Sequence, residues 1–513
     1  MARGDNMSVK INTATFSGID GINITVEIDI STGLPCFNIV GLADTSVKES
    51  KERVRAAIIN SGFEFPISRI TVNLAPADIK KDGSQFDLPI AIGILAASNQ
   101  IYCENIHKYL FIGELSLSGE IRKIRGALPI IIGGLNNSIK NFVIPNENSN
   151  ECSIVKNALI YPFGDLRQVV NFLENEDMLP ITFDYKNEKK NGNFTFDFED
   201  VIGQDSSKRA IEVAAAGGHN ILLWGPPGSG KSMLASRIPS ILPELDYEEA
   251  LEVTKIYSVS GNIKDEGLAK CRPFRSPHHT SSNISLIGGG RNLAPGEISL
   301  SHNGVLFLDE MLEFKKSVLE VLRQPLEDKL VKISRANGNI SYPANFMLVG
   351  ATNPCPCGFY ASGTKKCTCT EHEKKVYLNK LSGPLLDRID IFTFVASLKY
   401  EEYNKINKNE PSKVIRKRII KARQLQKTRY KNEGISCNSQ MTTKLINKYC
   451  KLDSKSNMLL KNVYTKYNLS NRAYNRLLKL SRTIADLNGR ENIENSDVIE
   501  AVQYRKFIND NIV

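Results

Sequence analysis

The chain has 513 residues, 41% hydrophobic and 24% charged, with 35 Gly, 21 Pro and a formal charge of +10. At roughly 100–200 residues per domain this length predicts about three domains, and the composition excludes a disordered, collagen-like or disulfide-stapled protein. From Lys399 to Val513, 25 Lys and Arg stand against 11 Asp and Glu, whereas 41 stand against 45 elsewhere. A basic C-terminal fifth points to a polyanionic partner such as nucleic acid, or else to a solvated helical surface.

Residues 1–185 alternate strand-like runs (ITVEIDI, RITVNLA, NFVIP) with helix-like ones (TSVKESKERVRAAIINSG), which predicts an α/β domain. The longest apolar run, Leu88–Ala97, is about half of the ~18 residues that a membrane span needs. The opening MARGDNMSVKIN has no apolar signal core, so a cytoplasmic protein without a membrane partner is expected. Residues 186–196 lie in a polar, Gly-containing stretch and read as a linker. Over 197–397 the texture changes to the near-continuous apolar runs ILLW, GVLFLDE and FMLVGATN, as a parallel sheet covered on both faces requires. Residues 398–513 carry apolar positions at helical spacing and predict a small basic helical domain.

The sharpest motif is Gly225-Pro226-Pro227-Gly228-Ser229-Gly230-Lys231-Ser232. A G-x-x-x-x-G-K-S loop between a strand and a helix turns backbone N–H groups onto phosphates, with the lysine reaching the β/γ-phosphates and the serine ligating Mg²⁺. Ile221–Trp224 supplies the strand and Met233 onward the helix, so ATP with Mg²⁺ is the expected ligand. Downstream, the apolar strand from Val305 ends in Asp309 and Glu310. There Asp309 is placed to hold Mg²⁺ and Glu310 to polarise the attacking water. Another buried strand ends at Asn353, an amide placed to orient that water, and Arg388 follows an apolar helix-like segment.

Two segments interrupt this pattern. One, RPFRSPHHTSSNISLIGGGRNLAPGEISL, contains Gly288-Gly-Gly-Arg291, expected as an exposed, mobile turn. The other, Lys329–Tyr342, alternates apolar and polar residues around Asn337-Gly338, a hairpin signal. Of ten cysteines, six are scattered and expected to pack as small hydrophobes. The other four, Cys355, Cys357, Cys367 and Cys369, suit a tetrahedral Zn²⁺ site, although C-x-C pairs are tighter than usual and reduced or redox-sensitive thiols are the alternative. His372 is a spare ligand expected to be exposed, while His278 and His279 are expected to serve loop packing or a subunit contact.

GPPGSGKS, VLFLDE, ATNP and LLDRID, in this order and spacing, resemble an AAA+ ATPase of the magnesium-chelatase-like branch, which is similar in this respect to the MCM helicases. The resemblance implies Asn353 as first sensor and Arg388 as an arginine finger acting on ATP of a neighbouring subunit. It also implies Arg472, in Ser470-Asn-Arg472, as a second sensor in the lid facing the γ-phosphate. A homo-hexameric ring follows from a finger in trans. In related ring ATPases such insertions touch DNA in the pore, making Lys332 and Arg335 the contact candidates, or else the hairpin packs on the next subunit.

The stretches GLPCFNIVGLADTSVKESKERVRAAI, NLAPADIKKDGSQFDLPIAIGILA and GEIRKIRGALPIIIGGLNN resemble the Lon-protease-like domain that opens members of the YifB/ComM family. Gln85 stands where that fold's nucleophilic serine belongs and Asn136 where its lysine belongs, so proteolysis is not expected. The resemblance implies a hexameric motor on single-stranded or branched DNA, driving branch migration in natural transformation. The rivals are a magnesium-chelatase motor subunit, an ATP-dependent protease and a nucleotide-gated scaffold.

Overall fold

The computed structural model describes residues 8–42, 44–183, 194–263, 267–290, 293–335, 338–360, 365–397 and 409–505, the side chains of Thr45 and Arg335 excepted. It divides into two compact units, Met1–Lys190 with Tyr247–Ala269, and Asn191–Asp246 with Lys270–Val513. Both are mixed α/β, as expected.

The first unit is built on a seven-stranded sheet. Its strands are β1 (Val9–Ser17), β2 (Asp20–Ser31), β3 (Cys36–Val40), β4 (Arg69–Ala75), β5 (Tyr109–Phe111), β8 (Asn141–Pro145) and β9 (Leu159–Phe163). Their order is β3-β4-β2-β1-β5-β8-β9, and a small ribbon of β6 (Glu114–Leu115) and β7 (Ile121–Arg122) stands apart. The run that is half a membrane span becomes the helix Asp87–Ala97, buried continuously from Asp87 to Leu95. No helix among the described residues is long and apolar enough to cross a membrane. Burial lifts the Asp87 carboxyl to about 6 against the pull of Arg53, which holds it by two bonds of 2.8 and 3.1 Å.

Gln85 is buried and donates to Asp82 O at 2.9 Å and Thr15 Oγ1 at 3.2 Å, and Asn136 ends the helix Ala127–Asn136. The nearby Ser84 hydroxyl donates to Glu114 and the Lys81 amine to the carbonyl of Pro76, so each is bonded to another partner. Residues 247–269 fall in this unit, although their place in the sequence pattern is within 197–397. Leu251 and Leu268 pack against the cluster of Ile112, Leu128 and Ile160, and apolar packing decides the membership.

The second unit holds a five-stranded sheet of β10 (Ile221–Trp224), β11 (Phe274–Arg275), β14 (Val305–Leu308), β17 (Met347–Thr352) and β18 (Ile391–Phe394). The order is β11-β14-β17-β10-β18 and every neighbouring pair is parallel. β14 and β17 are buried along their whole length, which explains their unbroken apolar sequences. The helical segment packs in two places: Ile419, Leu477, Leu480 and Ile484 cluster with Val213, Leu223 and Val349, while Tyr430, Leu445, Leu460 and Val498 form a cluster of the segment's own.

Two ribbons project from the strand pattern. β15 (Leu330–Arg335) and β16 (Gly338–Pro343) form the expected hairpin, with Ile333 opposite Ile340; Asn337 and the Arg335 side chain lie outside the described residues. β12 (Gly288–Gly289) and β13 (Ala294–Pro295) form the other. Here an expectation holds only in part: Gly288 and Gly289 are buried, Gly290 is exposed in a turn, and Arg291 is outside the described residues. Gly288 has φ +101°, and a Cβ there would meet Ala294 O at 2.3 Å, so glycine serves close packing. Of the scattered cysteines, Cys152, Cys437 and Cys450 are buried as expected, whereas Cys36 and Cys103 are half-buried and Cys271 is exposed.

The helices after β18 are knitted by one buried amide. Asn438 Oδ1 accepts from the Tyr430 hydroxyl at 2.7 Å, while Nδ2 donates to Asp486 at 2.8 Å and Thr483 at 3.0 Å. Asn438→Ala leaves these buried groups short of partners, at a cost of about 1–3 kcal/mol. The expected outcome is a lower thermal unfolding midpoint by calorimetry, with ATP binding at 25 °C retained.

Candidate functional site

The parallel sheet assembles the site before any side chain is considered. β14, β17 and β10 are neighbours, so their C-terminal ends lie side by side on one edge. Those ends carry Asp309-Glu310, Asn353 and the loop from Gly225 to Ser232 respectively. Loops at this edge are where open α/β sheets bind ligands.

Gly225 approaches β18's exit so closely that a Cβ would meet Val395 O at 2.2 Å. Gly228 and Gly230 have φ of +74° and +91°, which only glycine adopts without strain. Gly230 leads directly into the helix Lys231–Ile241, aiming its N-terminus at the loop. Lys231 folds back over the loop and donates to Gly225 O at 2.8 Å, Pro226 O at 2.9 Å and Asn353 Oδ1 at 3.2 Å. Burial lowers its amine to about 8, against the opposing pull of Asp309 and Glu310. Ser229 Oγ is buried in the loop with no hydrogen-bond partner. A cradle holding an under-solvated cation and an unpaired hydroxyl fits a polyphosphate.

Ser232 Oγ donates to Asp309 Oδ2 at 2.6 Å. These two oxygens, at the phosphate end of the cradle, fit the requirements of Mg²⁺, which when bound neutralises charge on the β- and γ-phosphates. Glu310 follows in a left-handed backbone conformation, φ +48°, a strained geometry for a non-glycine residue. Its carboxylate is exposed and lies 3.5 Å from His279 Nδ1. His279 packs against His278 and Phe314, in line with the expected loop packing, and also faces the candidate general base.

Arg388 and Arg472 lie elsewhere. The register Ile221↔Ile391 puts Arg388, three residues before Ile391, at the N-terminal edge of the sheet. A four-residue strand separates the edges by about 13 Å. Arg388 pairs with Glu327 and donates to Pro384 O at 2.7 Å, while its Nε is buried with no partner. Arg472 was expected to face the γ-phosphate. Here it reaches the same Glu327 at 4.0 Å and lines a cavity of about 480 Å³ with Arg388, Lys329, Arg476 and Lys479. Both arginines therefore stand on the edge opposite their own chain's phosphate loop.

The four clustered cysteines converge, their sulfurs all within 4.8 Å of one another. Three of the separations are 3.4, 3.6 and 3.7 Å. Tetrahedral zinc with ~2.3 Å bonds to sulfur requires about 3.8 Å between sulfurs, so the set fits that ion. Backbone N–H groups of Phe359 and Thr368 pull the Cys357 thiol down to about 5, favouring a thiolate. The cysteine loop also touches the phosphate loop: Gly358, φ +83°, packs so tightly that a Cβ would lie 2.7 Å from Pro227 Cδ. His278 and His279 are outside this cluster, and His372 is exposed. Lys332 is exposed on β15.

Models of magnesium chelatase subunit ChlI match residues 26–148 and 197–403, and a model of its C-terminal region matches 409–505. Competence protein ComM of Haemophilus influenzae is 43% identical over 495 residues, 96% of each chain. The chain belongs to the YifB/ComM family. The protein YifB of Escherichia coli is 42% identical over 503 residues, 97% of each chain. The magnesium-chelatase 67 kDa subunit of Chlorobaculum tepidum is 28% identical over 163 residues, 31% of this chain and 23% of that protein. As a YifB/ComM member with a magnesium-chelatase-like core, the chain is an AAA+-type ATPase.

The lowered Lys231 amine gives ATP binding a pH signature. Phosphate oxygens favour the charged amine and raise its pKa again, so above about 8 binding takes up a proton. Affinity for a fluorescent ATP analogue should be flat below pH 8 and fall above it, by up to about tenfold per unit. In Lys231→Ala, weak binding should show no such slope.

Proposed function

We propose that this chain is the subunit of an ATP-driven ring motor that moves DNA junctions. The observation that carries the reading is the division of catalytic groups between the two sheet edges. Lys231, Ser232, Asp309, Glu310 and Asn353 gather on one edge, whereas Arg388 and Arg472 are held together at the other. Arginines about 13 Å of strand away from their own phosphate loop cannot serve it, but are free to complete the site of a second copy. Closing that contact head to tail generates a ring, and six subunits is the number the family resemblance implies.

In each site the nucleotide's phosphates lie on the loop Gly225–Ser232, with Ser232 and Asp309 holding Mg²⁺. Asn353 orients the water, and Glu310 accepts its proton as oxygen attacks the γ-phosphorus and ADP leaves. The neighbour's Arg388, with Arg472 beside it, offsets the charge that develops on the γ-phosphate; fingers in other phosphoryl-transfer systems contribute ~10³–10⁵ in rate. The cavity beside them, lined by Lys329, Arg476 and Lys479, supplies positive potential for that docked nucleotide. Cys355, Cys357, Cys367 and Cys369 would hold zinc, and the loop that carries them packs on the phosphate loop through Gly358 and Pro227.

DNA is the polyanion we assign to the β15–β16 hairpin, with Lys332 and Arg335 as its contacts. Single-stranded or branched DNA, migrating during uptake and recombination, is the substrate class the family resemblance implies, and the Haemophilus relative is named a competence protein. The local likeness to a magnesium-chelatase subunit favours a second reading, a motor for metal insertion into a porphyrin.

Two experiments separate these readings. Purified protein with ATP and a fluorescent three-stranded junction should displace strands, and Glu310→Gln should not. Absence of ATP-dependent displacement together with absence of salt-sensitive DNA binding would sink the motor reading. Elemental analysis should find about one zinc per chain, as four thiolates bind one ion, and Cys355→Ser should lose it.

A further inference from the structure

Much of the basic charge on the C-terminal helices has no place in the ATPase site. Between Gly434 and Ala485 ten Lys and Arg stand against a single carboxylate, Asp453. That carboxylate is spent on capping a helix, its Oδ1 accepting from Ser456 N at 2.8 Å. Of the ten cations, Arg472, Arg476 and Lys479 line the cavity beside Arg388, and Arg482 is buried against Asp486. The remaining six lysines, from Lys444 to Lys466, are exposed. Of these only Lys448 forms an ion pair among the described residues, with Glu433 at 2.7 Å.

Two of these helices, Ser454–Lys466 and Asn471–Leu487, border a groove of about 460 Å³. Asn457, Met458, Lys461 and Tyr464 line it from the first helix and Tyr474 from the second. Steps of three and four residues put the first four on one stripe, beside the inward stripe of Ser456, Leu460 and half-buried Val463. Tyr474 packs on the cluster of Leu460 and Leu478 and meets the Tyr464 ring edge-on, centres 6.0 Å apart at 82°. The Tyr464 hydroxyl reaches Asn471 Oδ1 only loosely, at 3.5 Å. One aromatic ring is thus anchored, while the other stands against it 38% exposed, with Met458 nearby at 68%. Neither Tyr464 nor Met458 belongs to the clusters beneath.

We propose that this groove is a binding site for single-stranded nucleic acid, in which a base stacks on Tyr464 and Lys461 holds an adjacent phosphate. An exposed aromatic and thioether patch on a basic surface gains most from a ligand that is flat, apolar on its faces and anionic on its backbone. The amide of Asn457 offers the edge of the stacked base a donor and an acceptor. The surrounding lysines add attraction that is independent of sequence. A duplex does not fit, because its bases are already stacked on one another and present no free face. The scarcity of carboxylates around the groove favours a polyanion over an apolar peptide. In a motor that separates strands, the groove would hold the displaced one; that use rests on the motor reading, whereas the binding itself does not.

The test is fluorescence anisotropy of a labelled oligo-dT with full-length protein, without ATP, over a range of salt concentrations. Tyr464→Ala should weaken binding about ten- to 100-fold, the loss of one stacked base. Tyr464→Phe keeps the ring and should bind as wild type, which separates stacking from a loss of the hydroxyl contact. Lys461→Gln should make the slope of log affinity against log salt shallower by about 0.7, as one phosphate contact to a single strand contributes. Lys461 is exposed, so its variant carries the test if the alanine variant of Tyr464 does not fold. All three results should persist when Lys332 and Arg335 are alanine, and affinity for a fluorescent ATP analogue should be unchanged throughout. Wild-type affinity in Tyr464→Ala would overturn the proposal and leave the groove to an apolar side chain of a protein partner. Equal losses in the alanine and phenylalanine variants, or an unchanged salt slope in Lys461→Gln, would overturn it too. Absence of ATP-driven strand displacement with the anisotropy differences intact would remove the motor reading and leave the groove as a single-strand site.

Discussion

Parallel pairing of five short strands is the constraint from which the rest of the second unit follows. Parallel strands need crossovers, the crossovers cover both faces, and the faces must then be apolar throughout. That leaves polar chemistry only two places, the edges where strands end. On one edge the strand ends gather Asp309, Glu310, Asn353 and the phosphate loop; on the other they gather Arg388 and Asp390. The separation of these groups onto two edges is thus a property of strand direction, and side chains only elaborate it.

Electrostatics adds a second regularity. Burial lowers the amines of Lys231, Lys329 and Lys479 and the guanidinium of Arg476. Such partly dehydrated cations cost stability in the isolated chain and are relieved when a polyanion arrives. Asp390 is the exception that orders them. Burial pushes its carboxyl up, yet His219 at 3.1 Å and Arg476 at 3.3 Å hold it well below the ordinary range. His219 in turn bonds Thr483 at 2.8 Å, so the segment carrying Arg388 is tied to the helix carrying Arg472. The two arginines share a mount as well as Glu327.

Much of this was legible in the chain because the chemistry is contiguous. A phosphate loop needs its glycines, lysine and serine within eight positions, and a buried strand ending in carboxylates must be written out in order. Strand β10, the helix after it, and the hairpin at 330–343 were likewise readable, since periodicity and turn residues are local. What escaped was tertiary. His279 meets Glu310 only because β11 lies beside β14. Glu327, exposed and unremarkable in sequence, becomes the shared partner of two arginines. Gly288 looked like a flexible turn, because a glycine needed for close packing and one needed for motion are spelled alike. Membership of 247–269 in the first unit depended on which core had room for Leu251 and Leu268.

The thinness of the sheet has a mechanical consequence. β10 and β18 are four residues long, and both edges of the unit are rigidly joined through a close-packed interior. A change at the phosphate loop therefore has only a four-residue strand to cross before the opposite edge. In the ring proposed above, each subunit would act as a see-saw whose near end feels its own nucleotide and whose far end presses on the next. In such a train no subunit would report to itself, and order in the cycle would come from geometry.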